Sequence, residues 1–306
     1  LAEGPLKGLI GGMLVDSWEC FTQTWTPKME LYFREANGYE LRPHLPEIFG
    51  YILGDPEKAE RFLTDWRRTL GDLVTKNYFG HMAELAHAKD LTVLYETAFG
   101  ENIYGDMLEY WKYADEPMCE YWYPHATAEK AGCGWYTFKP VRFCASAAHI
   151  YGKSRVTAEA FTGNSGVLWD EDLQRFRDIA NRHFARGVTH LAFQSYTHQP
   201  GPEGPMPGDT MGGFNGSPFC RFQTWWKFMP EFTGWLTRCE ERLEEGLPAS
   251  DVLWYLGDAV DHDPDVQFAF PEGFRWDYLN NDVLMNGLTV RDGNIKIASG
   301  ATWKIL

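Results

Sequence analysis

Four glutamates stand at matching places in the chain, each where an apolar run ends. The runs close as Val15-Asp16-Ser17-Trp18-Glu19, Leu94-Tyr95-Glu96-Thr97, Cys119-Glu120-Tyr121-Trp122 and Thr157-Ala158-Glu159-Ala160-Phe161. One Glu after an apolar run is ordinarily a solvated loop residue or a helix cap, but four in succession make a pattern. A carboxylate between apolar neighbours, as at Glu159, costs free energy to bury unless it is paired, hydrogen-bonded or put to use. Clustered carboxylates push one another's pKa values apart, so that one stays protonated as an acid while another stays ionised as a base. Glycoside hydrolysis needs that pair, an acid to protonate the leaving oxygen and a second carboxylate to activate water or to attack directly.

Such residues meet only if the runs are parallel strands whose carboxyl ends share one rim. Apolar runs do alternate here with helix-length periodic segments, as in βα units. The expected strands are 9–18, 91–96, 117–122, 156–161 and 188–196. The expected helices are 56–88, 171–186 and 222–245, the last stopped by Gly246 with Pro248 beyond. The expected fold class is therefore α/β on a parallel sheet, read as a (β/α)8-type barrel, in which active-site residues would stand at the carboxyl ends of the strands. Five strands do not close eight, so the barrel domain, residues 1–248, is expected to be incomplete on its N-terminal side. From residue 249 to 306 the texture changes, and the fresh strand Asp251-Val252-Leu253-Trp254-Tyr255-Leu256 reads as the beginning of a second, truncated α/β domain. Both ends read as cut from a longer protein.

Composition narrows the partners. With 28 basic against 43 acidic residues and a net charge of −15, the chain would repel nucleic-acid phosphates and anionic lipid headgroups. No apolar stretch approaches the roughly 18 to 20 residues that cross a bilayer. Neither nucleic acid nor membrane is expected. Aromatic residues make up 16% of the chain, 13 of them Trp, which suits either a bulky core or walls that stack on sugar rings. The six Cys show no CxxC pair and read as core thiols with room for one disulfide. Alternation along His190-Leu191-Ala192-Phe193-Gln194-Ser195-Tyr196-Thr197-His198-Gln199 aims Gln194, Tyr196 and His198 to one side. His198 and Gln199 suit hydrogen bonds to sugar hydroxyls better than a zinc site, which would need a His-x-Glu or Cys partner.

These residues, with Trp25-Thr26, the run Asn37-Gly38-Tyr39-Glu40-Leu41-Arg42-Pro43-His44-Leu45-Pro46, Arg61-Phe62-Leu63-Thr64-Asp65, Glu159-Ala160-Phe161-Thr162 and Tyr196-Thr197-His198-Gln199-Pro200, resemble glycoside hydrolase family 106, in order over most of residues 9–250. The resemblance implies an inverting α-L-rhamnosidase on a (β/α) barrel inside a longer multidomain chain, with calcium at the active site and a rhamnose-containing glycan as substrate. It implies Glu19 as general acid and Glu159 or Glu120 as base, with Glu159 favoured by its more buried strand. Glu96 is implied as a substrate or calcium contact, and Glu96 and Glu120 are the candidates for metal ligands. Asp16, Trp18, Trp122, Tyr196, His198 and Gln199 complete the expected sugar site. A secreted or periplasmic location follows from the same resemblance. One departure is the stretch Cys20-Phe21-Thr22-Gln23 after the first Glu, where the family often has small residues, so the rim of the sugar site is expected to differ.

Two other readings compete. A retaining β-galactosidase-like barrel would carry Asn before one of its glutamates, and none of the four has it. A carbohydrate-binding barrel without chemistry would bind sugar and not turn it over.

Overall fold

In a computed structural model, the chain is described at residues 8–18, 23–97, 105–123, 139–163, 171–196, 198–199, 201, 218–257 and 271–306. Five parallel strands, β1 (Gly12–Val15), β2 (Thr92–Glu96), β3 (Glu116–Trp122), β4 (Thr157–Thr162) and β5 (His190–Phe193), lie side by side in chain order. Neighbouring strands that follow one another in sequence and run the same way need a crossover between them, and helices supply it. They include α1 (Met29–Asn37), α2 (Leu45–Ile48), α3 (Pro56–Val74), α4 (His81–His87), α5 (Met107–Tyr110), α6 (Lys139–Ile150), α7 (Leu173–Phe184) and α8 (Met229–Glu244).

The helix boundaries follow local chemistry. Asp55 caps α3 by accepting from the Glu57 amide, with Pro56 at the first helical position, where no amide is needed. Asp172 caps α7 through the Arg175 amide at 2.8 Å. Helix α1 stops at Gly38, whose φ of 79° lets its amide turn back onto the Arg34 carbonyl.

One face of the sheet packs on helices. Tyr121 of β3, for example, lies flat on His183 of α7, rings 3.7 Å apart and 8° from parallel. The segment between β1 and β2 has a core of its own, Met29, Phe33, Leu41, Phe62, Trp66 and Leu70, and the π-helical turn Thr75–Gly80 and α4, which follow α3 directly, reach the main core through Phe79 and Ala83.

After α8 the architecture changes. Strands β6 (Val252–Tyr255) and β7 (Trp276–Leu279) form a separate parallel pair, followed by α9 (Asn281–Asn286) and an antiparallel sheet of β8 (Thr289–Arg291), β9 (Asn294–Lys296) and β10 (Thr302–Trp303). The new strand falls where the sequence placed it. Buried residues of this later part, Leu253 of β6, Tyr278 and Leu279 of β7 and Trp303 of β10, nevertheless join the same hydrophobic cluster as Val93 and Cys119 of the first sheet. Polar ties cross as well: Tyr278 N donates to Ser146 Oγ at 3.0 Å, His149 Nδ1 meets Asp277 at 2.7 Å, and Asn280 Nδ2 donates to Asp106 at 2.6 Å.

Several expectations need correction. The first and fifth strands are four residues each, shorter than 9–18 and 188–196, and α8 begins at Met229 after a single 3-10 turn rather than at Phe222. Helix α6 and the antiparallel sheet were not expected. The five strands of the first sheet, by contrast, match in number and order the five expected from the sequence. Cys119, Cys144, Cys220 and Cys239 are free thiols, while Cys20 and Cys133 lie outside the described residues.

Candidate active site

The strand register brings the carboxylates together. Glu96 pairs with Met118, and two residues on, Glu120 pairs with Glu159, which in turn faces Ala192 of β5. Val15 pairs with Tyr95, so Asp16 follows β1 as Glu96 follows its own neighbour in β2. Paired residues of parallel strands share a face, and a step of two keeps it. Asp16, Glu96, Glu120 and Glu159 therefore project from one face at the carboxyl end of the sheet, while Tyr95, Tyr121 and Ala160 turn to the helices.

Glu159 is held by a local break in that alternation. Thr162 is three residues away, an odd step that in a regular strand would point to the opposite face. At this place the ladder shifts, Tyr121 pairing with Ala160 but Trp122 with Thr162. Phe161 is the extra residue, in the left-handed region at φ 69°. The bulge restores the phase, and Thr162 Oγ1 donates to Glu159 Oε1 at 2.5 Å. A non-glycine residue in that conformation costs about 1–2 kcal/mol. Burying a Phe side chain returns about 1.5–3 kcal/mol, and Phe161 is buried among Tyr121, Phe176 and Phe219. The bulge thus costs little, and it leaves Glu159 partly open to solvent.

Asp16 and Glu96 form a different kind of pair. Glu96 is 1% exposed, and among the described residues no donor meets either of its carboxylate oxygens. Burial, with the carboxyls of Asp16, Glu159 and Glu120 nearby, raises Glu96 far above the ordinary carboxylate range. Asp16 moves the other way, lowered chiefly by its contact with Glu96 and also by the Ser17 amide, against a smaller opposing effect of burial. Two ionised carboxylates cannot bond each other, so the pair requires either a proton on Glu96 or a cation. One carboxylate oxygen from each of Asp16, Glu96 and Glu159 falls within 4.8 Å of the others. Glu120, an expected metal candidate, is not in that group of three, whereas Asp16 and Glu159, expected in other roles, are.

The remaining expected residues scatter more widely. Trp18 is half-buried and packs edge-on against Tyr78, centroids 4.9 Å apart. Trp122 ends β3 on the carboxylate rim. Tyr196 is 62% exposed, 6.2 Å from the Trp226 ring. His198 is exposed, and Gln199 is buried with its carbonyl accepting from Arg221 Nη2 at 2.9 Å. Glu19, the expected general acid, and Thr197 lie outside the described residues. Sequence reasoning missed Thr162 as the partner of Glu159. The signal available was the polar Thr directly after Phe161, out of step with the alternation Glu159-Ala160-Phe161.

A family model described as alpha-L-rhamnosidase, that of glycoside hydrolase family 106, matches residues 3–306. The chain belongs to this family. A solved rhamnosidase from Novosphingobium sp. PP1Y superposes with a TM-score of 0.83 at 28% identity, over 98% of this chain and 29% of that one. A curated relative from Formosa agariphila, named "Putative beta-glucuronidase", is 33% identical over 308 residues, 99% of this chain and 25% of the relative. The family 106 chain described here thus spans about a quarter of the length of the curated relative it matches. Among the described residues no helix is long and apolar enough to cross a membrane.

Proposed function

We propose that this chain is the catalytic core of a glycoside hydrolase that removes α-L-rhamnosyl residues from glycans with inversion at the anomeric carbon. The observation that carries the reading is the rim itself: in a family 106 chain, carboxylates from successive parallel strands face one another, and Glu159 is fixed by the Thr162 hydroxyl. The five-stranded sheet is then part of an eight-stranded barrel. Glu19, three residues past Asp16, protonates the glycosidic oxygen. Glu159 takes a proton from water on the opposite face of the sugar, a role that suits a carboxylate positioned by a hydroxyl hydrogen bond and partly open to solvent. Glu120, buried beside it in register, sets the local charge. Inversion requires the two reacting carboxyl groups to stand roughly 6.5–9.5 Å apart, leaving space for that water.

The donor set also fits calcium, which takes carboxylate oxygens of this kind. Asp16 and Glu96 would hold it, with Glu159 at the edge of the same cluster, and the bare buried oxygens of Glu96 are the feature that asks for a cation. Held there, a calcium ion would supply positive charge against the clustered carboxylates. The same reading makes the protein extracytoplasmic.

The test is hydrolysis of an aryl α-L-rhamnoside by the full-length protein, followed by proton NMR of the first sugar released. The β-anomer appearing first supports the proposal; the α-anomer first, or no turnover, contradicts it. The name of the Formosa relative makes an aryl β-glucuronide the comparison substrate, and preferential cleavage of that compound would move the sugar assignment.

A further inference from the structure

A second concave feature lies at the opposite end of the sheet from the carboxylates. The turns leading into β4, β5 and β6, with the start of β7, enclose a cavity of roughly 530 Å³. Its charge is of the opposite sign to the rest of the chain. Arg142, Lys153, Arg186, Arg242 and Arg275 all line it, in a protein of net charge −15.

Arg242 is paired with Glu245 at 2.9 Å. Arg142 instead lies over the Trp276 ring, 4.1 Å from its centroid, and among the described residues neither it nor Lys153 is in an ion pair. Asp277, the acidic residue lining the cavity, already accepts from His149 on one oxygen and from Trp303 Nε1 at 2.9 Å on the other. Burial lowers the basicity of Arg142, Lys153 and Arg186, and at Arg186 the charges of Arg142 and Arg182 lower it further. Gathering partly desolvated cations costs free energy that an anion seated among them offsets, through charge-assisted hydrogen bonds. The Ser154, Ser250 and Ser299 side chains add neutral polar groups to the same wall.

We propose that this cavity is an oxyanion-binding site, taking the carboxylate, sulfate or phosphate group of a small ligand between Arg142, Lys153 and Arg186. Its volume falls within the range of about 300–1,000 Å³ usual for small-molecule pockets. The cavity therefore has room for the body that carries the anionic group. The inference stands independently of which glycoside the carboxylate rim cleaves.

The experiment is calorimetric titration of the full-length protein with sodium sulfate, sodium D-glucuronate and glucose 6-phosphate, with chloride keeping ionic strength constant. The wild type is expected to bind at least one of the three saturably, and Arg142→Gln and Lys153→Gln each to weaken that binding about tenfold or more. Arg34→Gln, a surface change remote from the cavity, is expected to leave it unaltered. Glucuronate or the sugar phosphate binding more tightly than sulfate assigns the group to a sugar-borne ligand; sulfate binding as tightly assigns it to a free oxyanion. Should Arg142→Gln fail to fold, Lys153→Gln, on a half-buried side chain, carries the test. Absence of saturable binding by all three compounds, or binding that the folded cavity variants leave unchanged, overturns the proposal.

Discussion

Replacing Thr162 with Val keeps the β-branched shape and removes the hydroxyl that donates to Glu159 Oε1 at 2.5 Å. A hydrogen bond to a charged group is worth about 1.5–3 kcal/mol, so the expected loss in kcat/KM is about ten- to a hundredfold where Glu159 is the base. The sign of the pH effect is fixed by the chemistry. The hydroxyl favours the ionised carboxylate, so its removal moves the acidic limb of the kcat/KM profile to higher pH. Thr162→Ser keeps the donor and is expected to restore both rate and profile. The assay is the pH dependence of aryl α-L-rhamnoside hydrolysis by the full-length protein and the two variants. An unchanged acidic limb in Thr162→Val, or a Ser variant as impaired as the Val one, would refute the role given to the bulge.

Other consequences follow from burial and charge. Glu96→Gln imitates a protonated Glu96, so without metal its melting temperature should equal or exceed that of the wild type, while the stabilisation by added calcium disappears; an equal calcium response in both proteins would sink the cluster as a cation site. Burial raises Asp106 to about 6, against hydrogen bonds from Asn280 and the Leu108 and Glu109 amides that lower it. The folded chain therefore holds this proton more tightly than the unfolded one, and the stability it contributes is complete below the ordinary value of 3.8 and lost as pH rises through 6. Asp106→Asn, which keeps the cap and cannot ionise, should remove up to ~3 kcal/mol of the stability lost over that window, measured by denaturant melts at pH 4 and pH 7; parallel pH dependence in the two proteins would contradict this. Phe33→Ala empties the separate core between β1 and β2 and should cost about 3–5 kcal/mol, read as early proteolysis of that segment; unchanged protection would show that the segment does not depend on its own core.

The sequence was most informative where period and position coincide. Strand ends marked by Glu96, Glu120 and Glu159 are visible because each carboxylate interrupts an apolar run, and the parallel order follows from the helices between them. Register was not legible, because pairing Glu120 with Glu159 is a matter of hydrogen-bond phase between distant segments. The bulge at Phe161 was hidden for a related reason: aromatic residues are good strand formers, and nothing local marks this one as left-handed. The grouping of Asp16 and Glu159 with Glu96 depends on three strands meeting, which spacing along one chain does not encode. The cationic cavity was invisible for the same reason, since Arg142 comes from a helix and Lys153, Arg186 and Arg275 from three separate connecting segments.

The central claim, that Glu19 and Glu159 act as acid and base, is tested most directly by aryl α-L-rhamnoside turnover of Glu19→Gln, Glu120→Gln and Glu159→Gln in the full-length protein, each shown to be folded. General acid–base groups contribute about 10²–10⁴-fold, and losses of that size are predicted for Glu19→Gln and Glu159→Gln, with a smaller loss for Glu120→Gln. A Glu159→Gln enzyme within about tenfold of wild type, beside an inert Glu120→Gln enzyme, would contradict the account and transfer the base to Glu120.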